Sequence, residues 1–118
     1  MKWIRGGVTA PIGFYASGIS CGIKTTGAKD LSLIYSKKLC DAAGVFTTNK
    51  VQASCVVINK TNLKSGKAQA IIANSGNANC MTGKKGFKDS RKMASVVADG
   101  LGREGANLSV ASIGVIGP

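Results

Sequence analysis

The sequence predicts an α/β fold in which short strands form a sheet covered by one or two helices. Two observations support this prediction. Short apolar runs rich in Val, Ile and Ala are bounded by glycine or proline, and residues 87–101 repeat their apolar side chains at helical spacing. With 118 residues, 16 of them glycine, and only 5% aromatic, the chain is expected to have a modest aliphatic core and many turns. This length predicts one domain at most, over residues 1–118.

Extended structure is predicted for the first part of the chain. Residues 6–24, GGVTAPIGFYASGISCGIK, alternate loosely between apolar and polar side chains and are punctuated by glycine and proline. A turn is expected at residues 26–29, followed by a short buried strand over residues 31–36, LSLIYS. Residues 42–50, AAGVFTTNK, are interpreted as another extended piece that runs into a polar loop.

The segment at residues 51–63, VQASCVVINKTNL, leaves two alternatives open. Three consecutive β-branched residues at 56–58 favour a strand, because β-branched side chains fit a pleated surface. The spacing of Val51, Cys55 and Ile58 also fits one face of a helix. Periodicity alone therefore does not decide this element.

The clearest elements follow this segment. Residues 68–75, AQAIIANS, predict a central strand, because their apolar run ends abruptly in small polar residues. A helix is predicted over about residues 87–101, and Gly100 and Gly102 are expected to end it. Residues 109–117, SVASIGVIG, predict a final strand. The apolar stripe of the helix consists of Ser90, Met93, Ala94, Val97 and Leu101.

The chain is strongly basic, with 16 Lys and Arg against 5 Asp and Glu and a formal net charge of +11. Such a balance is found in proteins that bind nucleic acid, an anionic substrate or an acidic partner. The lysines are scattered from Lys2 to Lys92, however, and Asp89 interrupts the densest stretch, KKGFKDSRK at residues 84–92. We therefore interpret the charge chiefly as a solvated surface, with a polyanion site as the second alternative.

Histidine is absent, which excludes Ser-His-Asp and Cys-His nucleophile systems and any histidine-ligated metal. The four cysteines have no C-x-x-C spacing, so we expect reduced, mostly buried thiols, and neither a metal site nor a cofactor. The N-terminus lacks the apolar segment of a signal peptide, and no run is long enough to span a membrane. These observations predict a cytoplasmic protein without a membrane partner. The cysteines are Cys21, Cys40, Cys55 and Cys80.

Two glycine-containing motifs have an interpretation in terms of binding. Residues 100–105, GLGREG, have the form G-x-G-x-x-G, but a dinucleotide site needs that loop between a strand and a following helix. Here a predicted helix precedes the motif, so we interpret it as a chance match. Residues 74–79, NSGNAN, form either a structural turn or a loop that shapes a polar pocket at the end of a strand.

Residues 111–117, ASIGVIG, also have two interpretations. The simpler one is a buried strand that leaves the sheet at its glycines. The alternative is that Gly114 lets the backbone approach a ligand closely and direct an N–H at a developing oxyanion, as acyl transfer requires. Spacing alone favours the first.

Several motifs occur in one order along the chain. They are GGVTAP and GF near the start, AAGVFTTNKV, the strand leading into NSGNAN, CMTGKKGFKD directly after it, and GVIG at the end. This order resembles the N-terminal part of the bifunctional ornithine acetyltransferase family of arginine biosynthesis, also called glutamate N-acetyltransferase. The resemblance runs from Gly6 to Gly117, and FTTNK together with NSGNAN is specific.

The resemblance implies an α/β enzyme of the layered, autoprocessing type, of which this chain would be an incomplete, N-terminal portion. The family's precursor is cut just before a threonine, which begins a second chain and acts as the nucleophile, with its own amine or a nearby group as base. Acetyl passes from N2-acetylornithine, or in some members from acetyl-CoA, through that threonine to glutamate. The implied partners are the Thr-initiated second chain and a heterotetramer of two large and two small chains, with neither a cofactor nor nucleic acid.

The resemblance also assigns candidate catalytic positions. Family members generally carry S-T-G-V-I-G at residues 112–117, and the Thr-Gly pair forms the oxyanion hole; carried across, these positions are Ile113 and Gly114. Gly114 matches, but Ile113 has no hydroxyl, and losing one oxyanion donor costs about 3 kcal/mol. Ser112 is adjacent, but in a strand it would point to the opposite face.

Three hypotheses follow from the resemblance. The chain ends at Pro118, so the family's cleavage site and threonine nucleophile would lie beyond it, and we expect no acetyl transfer by this chain alone. The first hypothesis is therefore a fragment of the acetyltransferase. The second is a non-catalytic remnant that acts as a basic binding module. The third is a split enzyme in which a separate partner supplies the remainder.

Overall fold

The computed structural model describes residues 1–102 and 107–116 of the chain. These residues form a mixed four-stranded sheet with two α-helices, which confirms the predicted α/β fold. The elements in chain order are β1 (Phe14–Ile19), β2 (Leu31–Asp41), α1 (Ser54–Asn62), a 3₁₀ turn (Leu63–Ser65), β3 (Lys67–Asn77), α2 (Gly83–Leu101) and β4 (Leu108–Val115).

The strands lie in the sheet in the same order as in the sequence. β1 and β2 are antiparallel, as are β2 and β3, whereas β3 and β4 are parallel. A parallel pair needs a crossover connection, and α2 supplies it. The prediction that residues 68–75 form a central strand is confirmed, since β3 lies between β2 and β4.

Both helices pack against one face of the sheet, and the buried core lies between them and the strands. Leu108 and Val110 of β4 are each only 1% exposed there. On the opposite face, Ile71 and Ile113 are 45% and 64% exposed. We call this second face, which carries Ile71 and Ile113, the open face, because no helix within the described residues lies on it. The core cluster comprises Ile58, Ala70, Ile72, Ala94, Ala98, Leu108 and Val110.

α2 confirms the predicted helical stripe and extends it. It begins at Gly83 rather than near Phe87, and its buried residues follow a spacing of four: Gly86, Ser90, Ala94 and Ala98. These side chains are small, so the helix approaches the sheet closely. Gly102 ends the helix in the left-handed conformation, with φ 64°, and its N–H bonds to the carbonyls of Ala98 and Asp99.

The structure differs from the sequence-based expectation in two places and decides a third segment that the sequence leaves open. Residues 42–50 form no strand, and of the first extended segment only β1 enters the sheet. The ambiguous segment at 51–63 is helical from Ser54 to Asn62, because that conformation buries Ile58 and directs Asn59 toward β4. NSGNAN is not a turn from its start, since β3 continues to Asn77.

The burial of the cysteines differs from the expectation. All four cysteines are free, but Cys21 is exposed and the other three are only partly buried, so the expectation of mostly buried thiols is wrong. Residues 103–105 of the GLGREG motif lie outside the described residues, as do Gly117 and Pro118 at the end of GVIG. Within the described ranges, no helix is long and apolar enough to cross a membrane.

Candidate functional site

The two candidate oxyanion positions lie side by side near the carboxyl end of β4. Ile113 is opposite Ser75 in the parallel pairing with β3, and Gly114 is opposite Gly76. The carboxyl ends of neighbouring parallel strands are where α/β sheets commonly place their binding sites. The motifs NSGNAN and ASIGVIG, far apart in the sequence, therefore meet at one end of the sheet.

Gly114 occupies a position that only glycine fits. Its φ is 139°, a conformation that L side chains rarely adopt. A Cβ built at this position would lie 2.5 Å from the carbonyl carbon of Gly76 and 2.6 Å from the backbone nitrogen of Asn77. The residue opposite, Gly76, also has a positive φ, of 106°. The two glycines thus allow a close approach of the β3 and β4 backbones.

The backbone N–H of Gly114 lies on the side of β4 that faces away from β3. The N–H and C=O of Val110 both bond to the Asn59 side chain of α1, beyond the outer edge of the strand. The carbonyl of Val115 instead accepts from Ala78 N–H, at 2.9 Å, on the inner side. Backbone directions alternate along a strand, so Gly114, four residues after Val110, directs its N–H outward. An N–H in that position is available to an oxyanion.

Ile113 projects its side chain onto the open face. It lines a shallow cleft of about 350 Å³, and its exposure of 64% leaves an apolar group at the position for which the resemblance implies a hydroxyl. Ser112 does not replace that hydroxyl, because it lies on the helix-covered face and donates to Asn74 Oδ1 at 2.6 Å. The prediction that Ser112 points to the opposite face is confirmed. The cleft is also lined by Gly18, Lys29, Asp30, Leu31, Ser32, Ala73, Asn74 and Ser75.

On the helix-covered face, NSGNAN contributes to a polar cleft of about 360 Å³ between the end of β3 and the start of α2. The side-chain amides of its asparagines form hydrogen bonds chiefly to other groups of the protein and do not point freely into the cleft. Asn79 Nδ2 donates to Gly86 O at 2.6 Å and to Ser90 Oγ at 2.7 Å, and Ser54 Oγ lies 2.8 Å from Ser90 Oγ. Asn74 Nδ2 donates to Asn77 O at 3.0 Å. The asparagines therefore serve first to fix the join between β3 and α2, and the cleft is a consequence of that join.

Sequence reasoning missed Asp30, which joins three segments beside the candidate site. It is 3% exposed, and its carboxylate accepts N–H groups from Cys21 at 2.8 Å and Lys24 at 2.9 Å. Its backbone bonds to β1 through Ile19 O and to β3 through the N–H of Ser75. The hydrogen bonds from Cys21 and then Lys24 lower the pKa of Asp30 from 3.8 to about 2. A lone aspartate after a turn gives no signal of this role, which depends on β3 lying alongside.

Most of the basic residues are exposed, as both the solvated-surface interpretation and the polyanion-site alternative require. Those on α2 are exposed and follow its outer face, where the guanidinium of Arg91 lies 4.8 Å from the ring centre of Phe87. Among the residues that the structure describes, no group of His, Cys, Asp or Glu side chains is arranged to hold a metal ion. The exposed basic residues of α2 are Lys84, Lys85, Lys88, Arg91 and Lys92.

The chain is similar to known proteins of one family. Residues 15–118 match the model of the ArgJ family. The arginine biosynthesis bifunctional protein ArgJ of Symbiobacterium thermophilum is 49% identical over 99% of this chain and 30% of its own length. The protein of the same name from Gloeobacter violaceus is 53% identical over 98% of this chain and 29% of its own length. The chain thus spans about 30% of the curated relatives it matches.

Two solved structures share the fold. The crystal structure of arginine biosynthesis bifunctional protein ArgJ from Bacillus halodurans has a TM-score of 0.91 at 40% identity, over 96% of this chain and 59% of that one. The crystal structure of ornithine acetyltransferase complexed with ornithine, from Mycobacterium tuberculosis, also has a TM-score of 0.91, at 42% identity over 95% of this chain and 61% of that one. At this identity and coverage, the sheet and both helices have the same arrangement in all three.

Proposed function

The chain belongs to the ArgJ family, and on that premise we propose that it forms part of an acetyltransferase of arginine biosynthesis. Its proposed contribution is the scaffold and one strand of the oxyanion hole, while a companion segment supplies the threonine nucleophile. The donor is N2-acetylornithine or acetyl-CoA, and the acceptor is glutamate. The relatives' names, which specify arginine biosynthesis and ornithine acetyltransferase, support this assignment.

The single observation that carries the proposal is the geometry of Gly114. In the proposed reaction, the threonine oxygen bonds to the acetyl carbon, its proton passes to the base, and the carbonyl oxygen becomes negatively charged. The outward N–H of Gly114 donates to that oxygen. The intermediate then collapses: the C–N bond breaks, the base returns its proton to the leaving nitrogen, and ornithine departs as the free amine. Glutamate's amine next attacks the acetyl carbon of the acetyl-threonine ester and gives its proton to the base, which forms a second oxyanion at the same donor. The C–O bond to threonine then breaks, the base protonates the threonine oxygen, and N-acetylglutamate leaves.

The isoleucine at position 113 is expected to lower the rate of this reaction without changing its chemical steps. An isoleucine leaves the oxyanion with one hydrogen bond fewer than a threonine would give, which typically lowers the rate about 100- to 1000-fold. The side chain is exposed and adjoins the cleft on the open face, so a hydroxyl at this position would have room to reach a substrate. We therefore expect a slow enzyme with the family's mechanism.

The open face is the proposed docking surface for the remainder of the enzyme. Apolar side chains of β3 and β4 are exposed there, including Ile71 at 45% and Ile113 at 64%. Sheets bury such faces against a further layer in α/β proteins. A companion segment that covers this face also brings its nucleophile to the end of β4 where Gly114 lies.

A second candidate function is supported by the charge of +11 and by the exposed basic face of α2. In this alternative, the chain is a non-catalytic module that binds a polyanion. It has only 5% aromatic residues, so stacking platforms for bases are sparse. Titration with DNA and RNA over a range of salt concentrations tests this alternative, and an affinity that does not depend on salt would contradict it.

The experiment that tests the acetyltransferase proposal begins with the protein purified from its native cells. Intact-mass analysis and N-terminal sequencing identify every chain that accompanies it. Acetyl transfer from N2-acetylornithine to glutamate is then assayed in the wild type, in Gly114→Ala and in the control Gly100→Ala, whose added Cβ meets nothing within 4 Å. We expect a Thr-initiated companion and a loss of at least about 100-fold in kcat in Gly114→Ala only. An isolated chain without activity would contradict the proposal.

A further inference from the structure

The short loop at residues 21–24 lies between β1 and β2 and packs on the candidate site. Its conformation is fixed by one buried carboxylate. Asp30 accepts the N–H of Cys21 at one oxygen and the N–H of Lys24 at the other, at 2.8 and 2.9 Å. Hydrogen bonds to an ionised carboxylate are about twice as strong as neutral ones, so the loop is firmly held.

The same loop contacts the glycine that opposes Gly114. A Cβ added at Gly76 would lie 3.0 Å from Cγ2 of Ile23 and 3.0 Å from Cγ of Lys24. On its other side, Gly76 meets Gly114 so closely that a Cβ there would lie 2.5 Å from the Gly76 carbonyl carbon. Gly76 is therefore held between the loop and β4, with no space for either to move inward.

Asp30 also fixes β3 immediately beside Gly76. The backbone N–H of Ser75 donates to Asp30 O at 2.8 Å, and the N–H of Asp30 donates to Ile19 O at 3.0 Å. One residue thus joins the end of β1, the loop and the end of β3.

We propose that Asp30 is a positioning residue for the oxyanion strand: it holds the 21–24 loop against Gly76, and Gly76 in turn fixes the backbone of Gly114. The inference rests on the proposed function, because it assigns the Gly114 N–H to the oxyanion. An oxyanion donor acts only within about 2.7–3.1 Å of the oxygen. A misplacement of about 1 Å can cost about 100-fold in rate, so a remote support for the strand has a measurable effect.

The test compares variants of the assembled enzyme, meaning this chain with the companion that carries the nucleophile. Asp30→Asn replaces one acceptor oxygen by an amide and removes the charge. Ile23→Ala keeps the carboxylate but removes the side chain that contacts Gly76, so the inference remains testable even if Asp30→Asn does not fold. The matched control is Asp41→Asn, an exposed aspartate whose ion pair with Lys67 lies at the opposite end of the β2–β3 pair. The maximal rate of each variant is divided by the number of active sites, counted from the acetylated threonine, to give kcat per site.

We expect Asp30→Asn and Ile23→Ala to lower kcat about 10- to 100-fold with KM for N2-acetylornithine unchanged, and Asp41→Asn to match the wild type. A purely structural role of Asp30 would reduce the number of active sites but not kcat per site. The inference is overturned if both variants keep the wild-type kcat per site, or if they change KM and leave kcat unchanged. The proposed function survives either result as long as Gly114→Ala remains inactive. If Gly114→Ala itself is fully active, the proposed function fails, and the inference fails with it.

Discussion

The side-chain amide of Asn59 makes both hydrogen bonds to the main chain of Val110, in place of a neighbouring strand. Asn59 Nδ2 donates to Val110 O at 2.9 Å, and Val110 N–H donates to Asn59 Oδ1 at 2.9 Å. One turn further along α1, Asn62 Nδ2 donates to Leu108 O at 2.8 Å. β4 is an edge strand, so α1 satisfies the first part of its outer edge and leaves the part that contains Gly114 open.

The first prediction concerns this contact. Asn59→Ala should lower the free energy of unfolding by about 2 kcal/mol, because it leaves the N–H and C=O of Val110 without partners in a partly buried position. Urea unfolding of the purified protein measures the change. Thr61→Ala, at an exposed position of the same helix, is the control and should change stability by less than about 0.5 kcal/mol. Equal effects of the two substitutions would contradict the role given to Asn59.

The second prediction separates two glycines of α2. An alanine usually stabilises a helix by about 0.5–1 kcal/mol relative to glycine. At Gly86, however, the new Cβ would lie 1.7 Å from Thr82 Oγ1 and 2.2 Å from Asn79 Oδ1, in the buried join between β3 and α2. Gly86→Ala should therefore destabilise the protein by about 1–3 kcal/mol.

Gly100 is the matched control for Gly86, since a Cβ there meets nothing within 4 Å. Gly100→Ala should raise the thermal midpoint, whereas Gly86→Ala should lower it. A higher midpoint in Gly86→Ala would mean that the Asn79 and Thr82 side chains rearrange without cost. The opposite signs expected for two glycines in one helix make the comparison independent of helix propensity.

The elements with strong periodicity could be predicted from the sequence, whereas the contacts that complete the site could not. β3 and α2 follow from an apolar run and a helical stripe, both local features. Asn59 and Val110, which bond to each other, are 51 residues apart, and Gly76 and Gly114 belong to different strands. Nothing local distinguishes these residues from ordinary surface polar residues and turn glycines. Local periodicity leaves the helical state of residues 54–62 undecided for the same reason, because Asn59 and Asn62 find their partners on the distant strand β4.

The third prediction is a pH dependence caused by Asp30. The N–H groups of Cys21 and Lys24 lower its pKa from 3.8 to about 2, so the folded protein binds this proton more weakly than the unfolded chain. The carboxylate therefore stabilises the fold fully above its ordinary pKa of 3.8, and this contribution is lost as the pH falls through about 2. The stability difference between wild type and Asp30→Asn should shrink over that interval.

Urea unfolding at a series of pH values measures this difference. Asp99→Asn, at an exposed position of α2, is the control and should change the free energy of unfolding by less than about 0.5 kcal/mol. A stability difference between wild type and Asp30→Asn that is the same at neutral and strongly acid pH would contradict the assignment. It would mean that the substitution acts through packing and not through the charge of the carboxylate.

The last prediction concerns Ile113, the position for which the resemblance implies a threonine. Ile113→Thr restores a hydroxyl beside Gly114, on the open face and adjoining its cleft. The second donor should raise kcat for acetyl transfer in the assembled enzyme by about 100-fold, with little change in KM, because an oxyanion exists only in the transition state and intermediate. Ile113→Val is the matched control, since valine has nearly the shape of threonine but no hydroxyl. If valine raises kcat as much as threonine does, the gain comes from relieved crowding at the exposed isoleucine, and position 113 is not an oxyanion donor in this protein.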